Sequence, residues 1–368
     1  LSTYESGSIY YENRSFGIAT QIMGDGFGNF STLVLTLDIS LNTGYMTGFL
    51  FSLLKWFFLI GIALLLVGIL FEQYSRWKLE KTAFQDKTFV EINGKPLHYV
   101  KKGEGRYTVI FQSGMGSSHA IWQQIQDSLS EDAVTMAYDR NGIMFSESNG
   151  LPVTNDQVSE ELELLLEKTQ CPKPYILVGH SMAGIYLRPF IRRNEADIAG
   201  LVFVETAHPR QRTESSPELI NALRQPPRWL IKFVLNTGIY RGLFSFVPLS
   251  PEIPIQHPLH RQERDFFYRT CDKVLEELDN DELNFKDAEQ YTSFGSIPLT
   301  VIMGTNEVRY AGIKDSNIQD EYRMLVDKGQ HDLLNLSSNS RLVKAENSGH
   351  VVQINDASLL IAEIRRML

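Results

Sequence analysis

The stretch Pro174-Tyr175-Ile176-Leu177-Val178-Gly179-His180-Ser181-Met182-Ala183-Gly184 restricts the fold of this chain more than any other. Five apolar or aromatic residues in a row read as a short buried strand, and the glycines and alanine that follow read as a tight turn into a helix. A serine at the apex of such a turn is lifted out of the fold by a strained backbone. The helix behind it offers free amides and the positive end of its dipole. Ser181 is therefore a candidate nucleophile, and the other residues can be asked how they would serve it.

The flanking sequence repeats the strand–helix alternation. Phe89-Val90-Glu91-Ile92 and Leu97-His98-Tyr99-Val100 flank Asn93-Gly94, a two-residue hairpin signal. Thr108-Val109-Ile110-Phe111 reads as a buried strand ending in Ser113-Gly114-Met115-Gly116, with a helix over Ile121–Leu129. A strand follows at Val134–Tyr138, leading into Asp139-Arg140-Asn141-Gly142. Thr154 to Gln157 has the form of a capping box and opens a helix containing Val158, Leu162, Leu165 and Leu166. Further strands are expected at Gly200–Val204, Pro298–Met303 and Arg341–Ala345, with a terminal helix from Ala357 to Met367. Short apolar strands alternating with helices predict an α/β fold, a mostly parallel sheet with helices on both faces. Ligands of such sheets bind beyond the carboxyl ends of the strands.

Residues 206–296 break the alternation. Their prolines and aromatics (Trp229, Phe233, Tyr240, Phe244, Phe246, Phe266, Phe267 and Tyr268) predict a helical lid inserted on the ligand side, with an apolar pocket wall.

Ahead of this domain, Phe49 to Phe71 is apolar apart from Lys55. As a helix it would be about 34 Å long at ~1.5 Å per residue, enough to cross a hydrocarbon core. No small-x-small cleavage site follows it, so the expectation is a transmembrane helix and not a cleaved signal. Lys55 lies on one side of the span and Arg76, Lys78 and Lys81 on the other, so basic residues do not choose the side of the catalytic domain. Residues 72–86 read as a juxtamembrane linker and 87–368 as the folded domain. Residues 1–45 carry no sustained apolar period. They are expected to be either a poorly ordered tail or an over-extended reading frame ahead of Met46.

A net charge of −9, with no basic stripe, argues against a nucleic-acid partner. Cys171 and Cys271 are too few for a disulfide framework or a cysteine zinc site, and neither a metal cluster nor a dinucleotide fingerprint appears. No cofactor and no metal are expected.

A serine hydroxyl needs a base, a group to orient that base, and donors for the developing oxyanion. His350, in Ser348-Gly349-His350-Val351 just past the last strand, is the expected base. Glu307, after the Pro298–Met303 strand, is the expected acid, and Glu205, after Gly200–Val204, is the alternative. Glu307 gives the chain order Ser181, Glu307, His350, the order this architecture uses. The oxyanion donors would be the amides of Met182 and Met115.

At these residues the chain resembles the α/β-hydrolase superfamily, over roughly 87–368. Gly179-His180-Ser181-Met182-Ala183-Gly184 is similar to its nucleophile motif, and Ser113-Gly114-Met115-Gly116 to its oxyanion loop. Tyr138-Asp139-Arg140-Asn141-Gly142 looks like the loop after the fourth strand, and Gly349-His350 like the histidine motif. The closest likeness is to bacterial members anchored by one apolar helix before the first hairpin. Ala183 departs from the usual glycine, and Glu307 stands where many relatives carry aspartate. The resemblance implies a serine hydrolase, generally esterase-like and without a cofactor, and the aromatic lid favours a small-molecule ester with an apolar group. Acyl transfer or carbon–carbon cleavage on the same triad, or a membrane-tethered binding protein, are the alternatives.

Overall fold

The computed structural model describes residues 19–20, 35–36 and 43–368, so the expectation for residues 1–45 falls almost wholly outside the described residues. Two compact units divide the chain, 1–67 and 68–368. In the first, Ala19–Thr20 pairs antiparallel with Leu35–Thr36, and the helix α1 (Thr43–Ala83) begins. Phe51, Phe57, Phe58 and Leu64 of α1 are exposed. From Thr47 onward the helix is long and apolar enough to cross a membrane. It continues past Phe71 as helix where the sequence reading placed a linker.

The second unit is built on one eight-stranded sheet. Its strands are β1 (Thr88–Ile92), β2 (Lys95–Lys102), β3 (Thr108–Gln112), β4 (Val134–Tyr138), β5 (Tyr175–His180), β6 (Ile198–Val204), β7 (Leu299–Gly304) and β8 (Ser340–Ala345). They lie in the order β8-β7-β6-β5-β3-β4-β2-β1. The β1–β2 and β2–β4 pairs are antiparallel and every other pair is parallel. Asn93 and Gly94 both hold positive φ, 52° and 75°, the twist a two-residue hairpin requires.

Helices cover both faces. Behind the sheet strands come α2 (Gln123–Leu129), α3 (Asn155–Lys168), α4 (Ala183–Tyr186) and α5 (Arg188–Arg193). The segment between β6 and β7 holds α6 (Gln211–Glu214), α7 (Pro217–Ala222), α8 (Arg228–Asn236), α9 (Ile239–Leu243), α10 (Pro258–Asp279) and α11 (Asp281–Ala288). After β7 come α12 (Ser316–Asp332), α13 (Val352–Asn355) and α14 (Ala357–Arg365). The side-chain period of two sorts the strand residues between two cores. Ile110, Leu177, Leu201 and Val301 pack with Leu162, Leu165 and Phe190 on one face. Val109, Phe111, Ile176, Val178 and Val202 pack with Ile125, Leu129, Leu360 and Ile364 on the other. Thr154 caps α3 by accepting from the Gln157 amide at 3.2 Å. Cys171 and Cys271 are both buried and free.

The segment of α1 after Gly68 is fastened to the inserted helices by a buried ion cluster. Glu72 accepts from Arg76 at 2.8 Å and from Arg241 of α9 at 2.7 Å, and Arg241 also bonds Asp265 of α10 at 2.7 Å.

Candidate active site

Ser181 follows the last residue of β5, and its backbone is left-handed, with φ 55°. Its carbonyl accepts from Gly184 at 3.1 Å and Ala207 at 2.9 Å, which fixes the turn. A Cβ on Gly184 would stand 2.5 Å from the Cβ of Thr206, so only glycine fits there. A Cβ on Gly179 would meet that of Ala183 at 3.1 Å; the bare glycine is what makes room for alanine at the motif's last small position.

His350 lies in the loop after β8 and points its Nε2 at the Ser181 Oγ, 3.1 Å away. Behind it, Nδ1 faces Glu205 Oε2 at 3.4 Å. Glu205 follows β6 directly, with its side chain fully buried and its backbone also left-handed, φ 50°. The Gly304 amide donates to its Oε1 at 2.6 Å. Serine, imidazole and carboxylate therefore stand in line.

Glu307, the acid expected first from the sequence, is not in that line. It starts a single 3-10 turn, Glu307–Tyr310, and its exposed carboxylate pairs with Arg323, the Arg323 Nε donating to Oε1 at 3.2 Å. The same turn presents Arg309 to the site instead. The Arg309 guanidinium is in close contact with Glu205 Oε2, the oxygen that His350 also faces.

The loop Ser113–Gly116 lies over Ser181: a Cβ on Gly114 would be 2.8 Å from the Ser181 Cβ. Arg140 holds this loop by donating to the carbonyls of Ser113 at 2.6 Å and Gly114 at 2.9 Å. Glu277 of α10 pairs with Arg140 and accepts from the Gly116 amide at 2.8 Å. With those carbonyls turned to Arg140, the Met115 and Met182 amides donate to no protein atom among the described residues. Both residues line the cavity that holds Ser181.

Two further groups position the histidine, and neither was visible in the sequence. Glu252, from the insertion, accepts from three consecutive amides: Gly349 at 3.1 Å, His350 at 2.8 Å and Val351 at 3.0 Å. The His180 Nε2 hydrogen-bonds the His350 carbonyl at 2.9 Å. Burial pushes His180 down to about 4, so it is neutral and Nε2 is its donor. Burial, and after it the Arg309 charge, also holds His350 well below the usual histidine range.

The cavity in front of Ser181, His350 and Glu205 has a volume of about 300 Å³ and is walled by Met115, Met182, His208, Leu223, Phe285 and Arg309 among others. The aromatics expected to form its wall lie elsewhere. Tyr240 stacks on Phe267 at 5.0 Å, Phe266 packs on Phe145, and Trp229 and Phe246 are exposed. Phe285 is the aromatic that the insertion contributes to the described wall.

His98, His119 and Asp139 form a group compact enough, within 4.8 Å, to share a metal ion. Asp139 already accepts from His98 Nδ1 at 2.9 Å, His119 Nδ1 at 2.8 Å, the His119 amide at 2.7 Å and the Phe145 amide at 3.3 Å. Those bonds give it the role of a hub bracing the loop after β4.

Comparison with known proteins bears on the fold. The family described as "alpha/beta hydrolase fold" matches residues 107–246. An uncharacterized Bacillus subtilis protein, YqjL, is 31% identical over 128 residues, 34% of this chain and 50% of its own length. The chain thus spans half of that relative. An "AB hydrolase superfamily protein" of Gibberella zeae is 26% identical over 306 residues, covering 76% of this chain and 90% of the relative. Among solved structures, the epoxide hydrolase CorEH superposes with a TM-score of 0.57 at 17% identity, over 76% of this chain and 97% of that one. The chain therefore has the α/β-hydrolase fold, and its residues 107–246 match the family of that description.

Proposed function

We propose that this protein is a serine hydrolase that cleaves carboxylic esters. The reading rests on one observation above the rest, the continuous line from Ser181 Oγ through His350 to the buried carboxylate of Glu205. In the first half-reaction, Ser181 Oγ attacks the ester carbonyl while His350 Nε2 takes the hydroxyl proton. Glu205 keeps the Nδ1 proton in place and balances the imidazolium. The Met115 and Met182 amides receive the oxyanion, each such donor being worth about 3 kcal/mol in the transition state. Collapse expels the alcohol, which takes the proton from His350, and leaves an acyl group on Ser181. Water, deprotonated by His350, then releases the acid and restores the serine.

The lowered pKa of His350 keeps it neutral, and so able to accept the serine proton, at neutral pH. Leu223, Phe285 and the methionines give the cavity room for an apolar portion of the substrate. The helix α1 would hold the enzyme in a membrane as a single span. Exposed Trp229 and Phe233 of α8 and Phe246 after α9 sit on the elements fastened to the Glu72–Arg76 stretch, which suits a lipid-facing side of the insertion.

Release of 4-nitrophenol from short-chain 4-nitrophenyl esters by detergent-solubilised protein tests the reading. Hydrolysis by the native chain and its loss in Ser181→Ala is the expected result. Equal hydrolysis by both sinks it. Acylation of Ser181 without turnover by water would direct the reading to acyl transfer or to a binding protein of this fold.

A further inference from the structure

Arg309 is an unusual neighbour for a triad. Its side chain is 9% exposed, yet it lines the cavity that contains Ser181, Glu205 and His350. Its guanidinium carries five N–H donors in a planar fork. One end contacts Glu205 Oε2. The other makes only a long bond, 3.4 Å, to the Tyr322 hydroxyl, while the Tyr322 ring lies 5.4 Å from the guanidinium carbon. The Arg309 Nε is buried with no hydrogen-bond partner. A buried donor left unpaired is destabilising, so this one is conspicuous in a site open to ligands.

The pairing also works against the chemistry. Glu205 Oε2 is shared between a permanent cation and the imidazole it is meant to orient, and the imidazole stands at 3.4 Å, longer than a good hydrogen bond. Arg309 further opposes the positive charge that His350 must acquire during the reaction. Asp281, the other acidic residue on the cavity wall, does not relieve it: its Oδ2 is taken by Arg212 at 2.9 Å, and its buried Oδ1 has no partner, Arg309 included. An anion in the cavity would draw out a guanidinium whose buried Nε has no partner and whose Nη2 is weakly engaged, the fork that matches a carboxylate in bidentate fashion.

We infer that Arg309 is the binding site for a free carboxylate carried by the substrate, and that capture of this group draws Arg309 off Glu205 so that Glu205 closes on His350. The substrate class is then an ester bearing a second, ionised carboxyl, either in the acyl part or in the alcohol. This inference rests on the triad reading. The resting site is held in a weakened form by the Arg309–Glu205 pair, and the correct substrate supplies the anion that releases it. Selectivity and activation come from the same contact.

Two pairs of esters test it on the full chain in detergent. Mono(4-nitrophenyl) glutarate against 4-nitrophenyl butyrate places the carboxylate in the acyl part; 4-acetoxybenzoate against phenyl acetate places it in the alcohol. The native protein should favour the anionic member of at least one pair by tenfold or more in kcat/KM. Arg309→Gln should lose that preference and, with Glu205 freed, turn over the neutral ester several-fold faster. Arg309→Lys keeps the charge without the fork and should fall between. If Arg309→Gln lowers anionic and neutral esters together, or if the native protein favours neither anionic ester, the inference is overturned.

A binding measurement separates this outcome from failure of the triad. In Ser181→Ala, which cannot turn over, calorimetric titration with the favoured anionic ester should show binding, and Ser181→Ala/Arg309→Gln should show at least tenfold weaker binding. Equal affinities overturn the carboxylate site whatever the chemistry proves to be. Loss of ester turnover with that affinity difference intact would instead count against the serine mechanism alone.

Discussion

Ser181 and Glu205 occupy matching places at the carboxyl ends of the adjacent parallel strands β5 and β6, and both hold a left-handed backbone, with φ 55° and 50°. Non-glycine residues reach this region only when their surroundings compel it, at a cost of about 1–3 kcal/mol each. Here the sheet compels it twice in neighbouring strands: the Ser181 amide donates to the Val204 carbonyl at 3.2 Å, and the Glu205 amide to Ile302 at 2.9 Å. Each strand ends by tipping its next side chain toward His350.

The choice of acid gives the first prediction. Glu205→Gln should lower kcat on a neutral ester by about 10²–10⁴-fold, since the amide cannot hold the Nδ1 proton in the required tautomer. Glu307→Gln should leave kcat within about threefold, because it breaks only an exposed, solvent-screened pair with Arg323. Steady-state kinetics of the two variants decide the matter, and a severe Glu307→Gln with a mild Glu205→Gln would reverse the assignment.

Glu252 should act on the histidine without touching substrate. Its carboxylate gathers three amides of the loop that carries His350. Glu252→Gln replaces one accepting oxygen with an N–H group facing those donors. The loop should shift, lowering kcat by about 10–10²-fold with little change in KM, as displacements of an ångström do elsewhere. A drop in thermal stability without any change in kcat would mean that the clamp only holds the fold.

The pH profile follows from the environment of His350. A base acts when deprotonated, so kcat/KM must fall as pH drops through the His350 pKa. Burial and the Arg309 charge hold that pKa well below 6.5, which places the acid limb well below pH 6.5. Removing the Arg309 charge disfavours the imidazolium less, so Arg309→Gln should move the limb to higher pH. An acid limb near 6.5 in the native protein, unmoved by the substitution, would contradict this electrostatic picture.

Gly114 should be irreplaceable for rate and dispensable for folding. An alanine Cβ there would stand 2.8 Å from the Ser181 Cβ. The loop would retreat and carry the Met115 amide with it, so Gly114→Ala should cost about 10²–10³-fold in kcat. Circular dichroism and the melting temperature check that the fold survives.

The strands, the hairpin, Ser181 and His350 were legible because each is written in a few consecutive residues: an apolar run, Asn93-Gly94, a small-residue turn, Gly349-His350. The acid was not legible in the same way. A glutamate follows both β6 and β7 on the ligand side, Glu205 at once and Glu307 after a short turn, and the sequence does not say how the Glu307–Tyr310 turn is rotated. That rotation sends Glu307 to solvent and Arg309 inward. Glu252 was hidden for another reason, since its partners lie 97–99 positions further along the chain and no local pattern marks it. The aromatics of the insertion predicted a pocket wall by composition, but composition does not choose a face. Tyr240 and Phe267 went into a separate small core, while Trp229 and Phe246 stayed outside.

Reaction of the solubilised chain with a fluorophosphonate, followed by peptide mapping, tests the central claim most directly, because the reagent reports on an activated serine whatever the natural substrate is. The account predicts a stoichiometric adduct on Ser181, slowed greatly in His350→Ala and absent in Ser181→Ala. Well-folded protein that gains no adduct, or gains it on another residue, would contradict it.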